Sequence, residues 1–219
     1  MLVKICGIQS LEIAKVVEEN KADLMGFIFA DSRRYINPIA AAKISAEIKS
    51  VAKVGVFMNE EPARVNEIAD FCHLDYVQLH GDETIEYCKK IKYPIIKAFR
   101  YKEDFDPKIL YQYSVDMILI DTYQAGSAGG TGRCFDWKTA KEKLSKLHLP
   151  VFIAGGISKM NVGEMINVLN PAGVDVSGGV ESNGIKSKGK IIDFIKRVHE
   201  LERRVKNVRC NCRKEKNYC

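Results

Sequence analysis

Three residues able to carry a proton, Cys6, His80 and Asp121, each close a short apolar run in this sequence. Cys6 follows Leu2-Val3-Lys4-Ile5, and a thiolate is a base or nucleophile where nearby positive charge lowers its pKa. Lys4, two residues earlier, points to the same side of an extended strand and is the nearest source of that charge. Asp121 ends Met117-Ile118-Leu119-Ile120, an apolar run whose terminal carboxyl is a candidate general acid. His80 offers an imidazole, which can accept or donate a proton. The bland alternatives are a small buried hydrophobe for Cys6 and a turn-anchoring residue for Asp121. One proton acceptor facing one donor suits an isomerisation.

Such residues meet only if the elements behind them converge. Eight strands are expected at 2–6, 24–29, 53–58, 75–80, 95–99, 116–121, 150–154 and 173–177, short and rich in Val, Ile and Phe. Between them lie helical patterns: Leu11, Ala14, Val16 and Val17 after Ser10, and Ile39, Ala42, Ile44 and Ile48 after Pro38. Pro62 opens a third, with Val65, Ile68 and Ala69, and residues 84–91, 106–113, 136–147, 159–169 and 188–204 supply the rest. The alternation predicts an α/β fold, a single-domain (β/α)8 TIM barrel over residues 1–204. An open doubly wound sheet is the alternative, but Cys6-Gly7-Ile8-Gln9-Ser10 lacks the Gly-rich dinucleotide turn.

In a barrel, the loops after strands seven and eight commonly hold a phosphate on backbone N–H groups. Here those strands end in Ala154-Gly155-Gly156 and Ser177-Gly178-Gly179, so the substrate is expected to carry a phosphate, bound at Gly155, Gly156, Ser177 and Gly178. Arg33-Arg34, after strand two, can grip a carboxylate bidentately. Gly126, Gly129, Gly130 and Gly132 form a loop able to close over substrate.

Residues 203–219 hold seven Lys or Arg and one Glu, which accounts for the whole net charge of +6; the remainder is neutral. A neutral body with a basic tail, 205–219, is not a nucleic-acid footprint, and the tail is expected to be disordered. Cys210-x-Cys212, Cys219 and His199 lack the spacing of a zinc site. No run reaches the roughly 18 apolar residues of a membrane span, and the chain enters a strand at once, so a cytoplasmic protein is expected.

The chain resembles the phosphoribosylanthranilate isomerase family of tryptophan biosynthesis from about residue 2 to about 200. The motifs are Lys4-Ile5-Cys6-Gly7, Gly26-Phe27-Ile28-Phe29 with Ser32-Arg33-Arg34-Tyr35-Ile36, Val77-Gln78-Leu79-His80-Gly81, Ile120-Asp121-Thr122, and Val174-Asp175-Val176-Ser177. The resemblance implies an Amadori rearrangement of N-(5-phosphoribosyl)anthranilate to 1-(2-carboxyphenylamino)-1-deoxyribulose 5-phosphate, without metal or organic cofactor. It implies Asp121 as general acid, Cys6 as general base and Arg34 on the anthranilate carboxylate. His80 would be a wall of the pocket, and Asp175 would lie near the ligand. The implied partner is this phosphorylated small molecule, met by a monomer or homodimer, with neither nucleic acid nor membrane.

Two positions depart from the family pattern. Gly178 replaces the second of two serines, which removes a phosphate-binding hydroxyl, and Ser187 stands where an acidic residue is usual. Two other readings use the same residues: a related sugar-phosphate isomerase or epimerase, and a barrel retained as a binding protein.

Overall fold

The computed structural model describes residues 1–102, 104–122 and 135–215, with residues 204–215 described as backbone only. Eight parallel strands close a barrel in chain order: β1 (Leu2–Cys6), β2 (Leu24–Ile28), β3 (Ala52–Phe57), β4 (Tyr76–Leu79), β5 (Ile95–Tyr101), β6 (Met117–Thr122), β7 (Val151–Ile153) and β8 (Gly173–Val176). β8 returns to pair with β1, which sets Lys4 beside Asp175. All eight expected strands are present.

Alternation along the strands separates two cores. Val3, Ile5, Met25, Phe27, Val77, Leu79, Ile118, Ile120, Val174 and Val176 pack outward, with the helices. Leu24, Val54, Ile96, Ala98, Leu119, Phe152 and Ala154 pack with one another inside the barrel. A period of two therefore turns Lys4 and Cys6 inward on β1, Gln78 and then His80 on β4, Asp121 on β6, and Asp175 and then Ser177 on β8.

The outer layer comprises α1 (Leu11–Glu19), α2 (Pro38–Glu47), α3 (Pro62–Phe71), α4 (Ile85–Cys88), α5 (Trp137–Leu144), α6 (Val162–Leu169) and α7 (Lys188–Glu215). The Ser10 hydroxyl caps α1 by accepting from the Ile13 amide, and Asn37 with Pro38 starts α2. The α2 stripe differs from expectation: Ala41, Ile44 and Ser45 are buried, and Ile39 is 59% exposed. The helix expected over 106–113 is a 3-10 helix, Pro107–Gln112, in which Leu110 alone is buried. A single apolar anchor supplies no stripe to hold a longer α-helix against the barrel. α7 runs past the expected boundary at residue 204 to Glu215.

After β8 comes a small antiparallel hairpin, β9 (Glu181–Ser182) and β10 (Ile185–Lys186), which pairs Lys186 with Glu181. Asn183 and Gly184, with φ of 51° and 80°, make its tight turn. Among the described residues, no helix is long and apolar enough to cross a membrane.

Candidate active site

Inward-facing strand ends and the loops beyond them line a cavity of about 490 Å³, within the range of small-molecule sites. Cys6, Arg34, His80, Asp121, Gly155, Gly156, Asp175, Ser177 and Gly178 all border it, so every expected site residue meets the others there. The Gly126–Gly132 loop lies outside the described residues, as do Cys219 and the side chains of Cys210 and Cys212.

Cys6 is 5% exposed. Gly26 on the neighbouring strand makes its seat, since a Cβ there would stand 2.8 Å from Cys6 Sγ and 3.3 Å from Lys4 Nζ. Lys4, wholly buried, donates to Oδ1 of Asp175 at 3.0 Å. Burial would lower the Lys4 ammonium, yet Asp175 and Cys6 hold it above the ordinary lysine value. Burial likewise pushes the Cys6 thiol up, and Asp175 adds to that. The Lys4 and Lys186 charges pull the thiol down without overcoming burial. The electrostatic help expected from Lys4 is therefore present but outweighed.

Asp121 is fixed at both oxygens. Oδ1 accepts the Thr122 amide at 2.7 Å, and Oδ2 lies 3.2 Å from His80 Nε2. On the far side of the ring, Gln78 Nε2 lies 2.8 Å from His80 Nδ1. With the amide nitrogen donating, Nδ1 is the acceptor, so Nε2 carries the hydrogen and donates to Asp121. His80 is thus a partner of Asp121 rather than a mere wall. Gln78, 1% exposed, was not singled out as a site residue; its inward parity two residues before His80 was the available signal.

At the opposite rim, Gly155 and Gly156 adopt positive φ of 81° and 65°, and Asn161 Nδ2 holds the Gly156 carbonyl at 2.9 Å. The β7 and β8 loops approach closely: a Cβ on Gly179 would stand 1.9 Å from the Ile157 carbonyl oxygen. The Ser177 hydroxyl donates to the Cys6 carbonyl at 3.0 Å and so ties the β8 end to the β1 end. The Arg34 side chain, 11% exposed, forks onto Glu181, with Nε to Oε1 at 2.6 Å and Nη2 to Oε2 at 3.0 Å. Glu181 also escaped the sequence reading, although the Asn183-Gly184 turn marks a hairpin that carries it. Among the described residues, no three His, Cys, Asp or Glu side chains are grouped to hold a metal ion.

Residues 3–197 match the family model described as N-(5'phosphoribosyl)anthranilate (PRA) isomerase. The chain belongs to this family. A curated N-(5'-phosphoribosyl)anthranilate isomerase of Clostridium acetobutylicum is 40% identical over 202 residues, 91% of this chain and 98% of the relative. The phosphoribosyl anthranilate isomerase structure from Thermus thermophilus superposes with a TM-score of 0.83 at 34% identity, covering 92% of this chain and 100% of that one. A PRA isomerase in complex with reduced 1-(o-carboxyphenylamino)-1-deoxyribulose 5-phosphate superposes with a TM-score of 0.80 at 38% identity, covering 91% and 99%.

Proposed function

We propose that this chain catalyses the Amadori rearrangement of N-(5'-phosphoribosyl)anthranilate in tryptophan biosynthesis, with Asp121 as general acid and Cys6 as general base. The observation that carries this reading is the convergence of Cys6 and Asp121 on one cavity whose rim is formed by the glycine ends of β7 and β8. A family member bound to a reduced product analogue supports the same ligand class, a carboxylate at one end and a phosphate at the other.

Asp121, protonated, gives its proton to the furanose ring oxygen as the C1–O bond breaks, and the anilino nitrogen's lone pair forms the C1=N bond. Cys6, as thiolate, takes the proton from C2, and the electron pair moves through C2–C1 to the nitrogen to give an enolamine. A proton then returns to C1 from the Cys6 thiol while the C2 hydroxyl gives up its own to the Asp121 carboxylate, which leaves the ketone at C2 and resets both groups.

The relay behind Asp121 serves both of its protonation states. Gln78 Oε1 is buried without a hydrogen-bond partner in the present orientation. A half-turn of the amide presents Oε1 to Nδ1, which then carries the hydrogen, and Nε2 accepts from a protonated Asp121. The present orientation suits Asp121 after it has given the proton away. Arg34 meets the anthranilate carboxylate, and the segments at Gly155-Gly156 and Ser177-Gly178 receive the phosphate.

The test is the decline of anthranilate fluorescence when purified protein meets freshly prepared phosphoribosylanthranilate, paired with rescue of a tryptophan auxotroph blocked at this step. A rate equal to the no-enzyme control together with failed rescue would reject the assignment.

A further inference from the structure

Glu181 stands at the pocket mouth among more positive charge than it can neutralise. Its Oε1 accepts from Arg34 Nε at 2.6 Å and from Lys186 Nζ at 2.7 Å. Its Oε2 accepts from Arg34 Nη2 at 3.0 Å and from Arg33 Nη2 at 2.8 Å. One carboxylate thus gathers three cations, and Lys190 Nζ donates to its backbone carbonyl at 2.6 Å. The Glu181 and Lys186 side chains are each 5% exposed and Arg34 is 11% exposed, whereas Arg33 is 58% exposed, so the buried part of the cluster is Glu181 with Arg34 and Lys186, still with surplus positive charge.

The cluster spans both ends of the proposed ligand. Arg33 and Arg34 come from the loop after β2. Lys186, the cross-strand partner of Glu181, donates to the Ser177 carbonyl at 3.0 Å and to its hydroxyl at 3.2 Å. The Glu181 carboxylate is therefore the common acceptor linking the guanidinium that would meet a carboxylate to the loop that would meet a phosphate. With Nε and Nη2 engaged on Glu181, the long Arg34 side chain is ordered in advance of the ligand.

A carboxylate beside an anion site repels the ligand, so its presence there is explained only if fixing the donors outweighs that repulsion. We infer that Glu181 is a positioning residue that holds Arg34 and, through Lys186, the Ser177 loop, and so readies the carboxylate and phosphate subsites together. The inference rests on the functional reading above for the identity of the two subsites. Its charge is secure: burial would raise the Glu181 carboxyl, but the bonds from Arg34 and Lys186 hold it below the usual carboxylate range.

The test uses the whole chain and separate probes, anthranilate and inorganic phosphate, with dissociation constants measured by calorimetry. Glu181→Gln keeps the side-chain size and removes the charge. The expected result is weaker binding of both probes, by about fivefold or more each, and in the isomerase assay a raised KM with kcat little changed. Glu181→Asp, which restores the charge on a shorter arm, is expected to recover part of the loss. Tighter binding of both probes by Glu181→Gln would show that repulsion outweighs positioning and would overturn the inference. So would unchanged binding with a lowered Tm alone, or an Asp variant no better than Gln. If Glu181→Gln does not fold, Glu181→Asp decides: unaltered binding of both probes refutes the role, and partial loss of both supports it. An inactive wild type whose probe binding still responds to Glu181→Gln would reject the reaction and keep the positioning role.

Discussion

Gly155 and Asp121 are in such close approach that a Cβ on Gly155 would stand 2.4 Å from the Asp121 Oδ1 atom. The same Cβ would stand 2.3 Å from Thr122 Oγ1 and 2.6 Å from the Thr122 amide nitrogen, which itself donates to Oδ1. Gly155 has φ of +81°, which disfavours any side chain. Expected as a phosphate residue, it also forms the seat of the proposed acid.

Gly155→Ala is therefore expected to displace Asp121 and to strike kcat harder than KM. A misplacement of the order of 1 Å costs about a hundredfold in rate. Steady-state kinetics on the folded variant check this, and a kcat within a factor of two of wild type would refute the seat.

As the proposed base, Cys6 is expected to set the pH dependence. A base must be unprotonated to act, and burial pushes this thiol above its ordinary value. Activity of the free enzyme is expected to rise with pH and to keep rising beyond about 8.5, the unperturbed thiol value. Lys4→Met removes a charge that pulls the thiol down, so that limb moves to higher pH still. Titration of thiolate absorbance against the pH–rate profile checks both; an unmoved limb in Lys4→Met would exclude Lys4 as the charge that aids Cys6. Cys6→Ser is expected to lower kcat by about 10² to 10⁴.

The relay behind Asp121 gives a separate prediction. Gln78→Met preserves bulk but leaves His80 Nδ1 without its 2.8 Å partner. The ring then loses the partner that supports Nδ1 in either tautomer, and kcat is expected to fall by about tenfold while KM holds, as for an interaction made in the transition state. Equal losses in thermal stability and none in kcat would reduce Gln78 to packing.

Strand periodicity made Cys6, His80 and Asp121 legible, because a run that alternates in and out fixes which residue reaches the barrel mouth. Asp175 was visible only through family resemblance, since a carboxylate inside Gly173–Val176 looks misplaced until Lys4 is beside it. That pairing joins β8 to β1 across the whole chain, a contact no local pattern records. Glu181 was missed for a related reason: its partner Arg34 is remote in sequence. Gln78 meets His80 only two residues on, but what gives that contact meaning, the His80 bond to Asp121, is remote. The segment at 106–113 misled because helical spacing does not reveal that Leu110 alone is buried.

Gly178, which the resemblance reads as standing in place of a serine, has room for one. A Cβ there would find Arg34 Nη2 at 3.5 Å and nothing closer, an ordinary contact. Gly178→Ser is expected to fold normally and to tighten inorganic phosphate binding by about two- to tenfold, the worth of one net hydrogen bond. Calorimetry on both proteins checks this. Unchanged affinity would mean that the hydroxyl does not reach the phosphate and that the glycine costs nothing.

The loop that carries His80 rests on a buried ion pair. Lys97 Nζ donates to Glu83 Oε2 at 2.8 Å and to the Gly81 carbonyl at 2.8 Å, and Glu83 Oε1 accepts the Asn59 amide at 2.8 Å. Burial would raise the Glu83 carboxyl, but Lys97 and these amides hold it below the usual range. A depressed folded-state pKa adds stability above the unfolded value, about 4.3, and that stability is lost as pH falls through the folded value. Lys97→Met leaves the carboxylate buried without its cation and is expected to cost about 3–5 kcal/mol near neutral pH. In the variant the carboxyl, raised by unrelieved burial, protonates before the unfolded chain does, and its burial cost has lapsed by about pH 4, just as wild type begins to lose the pair, so the gap between them narrows. Urea unfolding at neutral and acid pH measures that gap, and a difference that does not change with pH would show that packing of the lysine stem, not its charge, holds the loop.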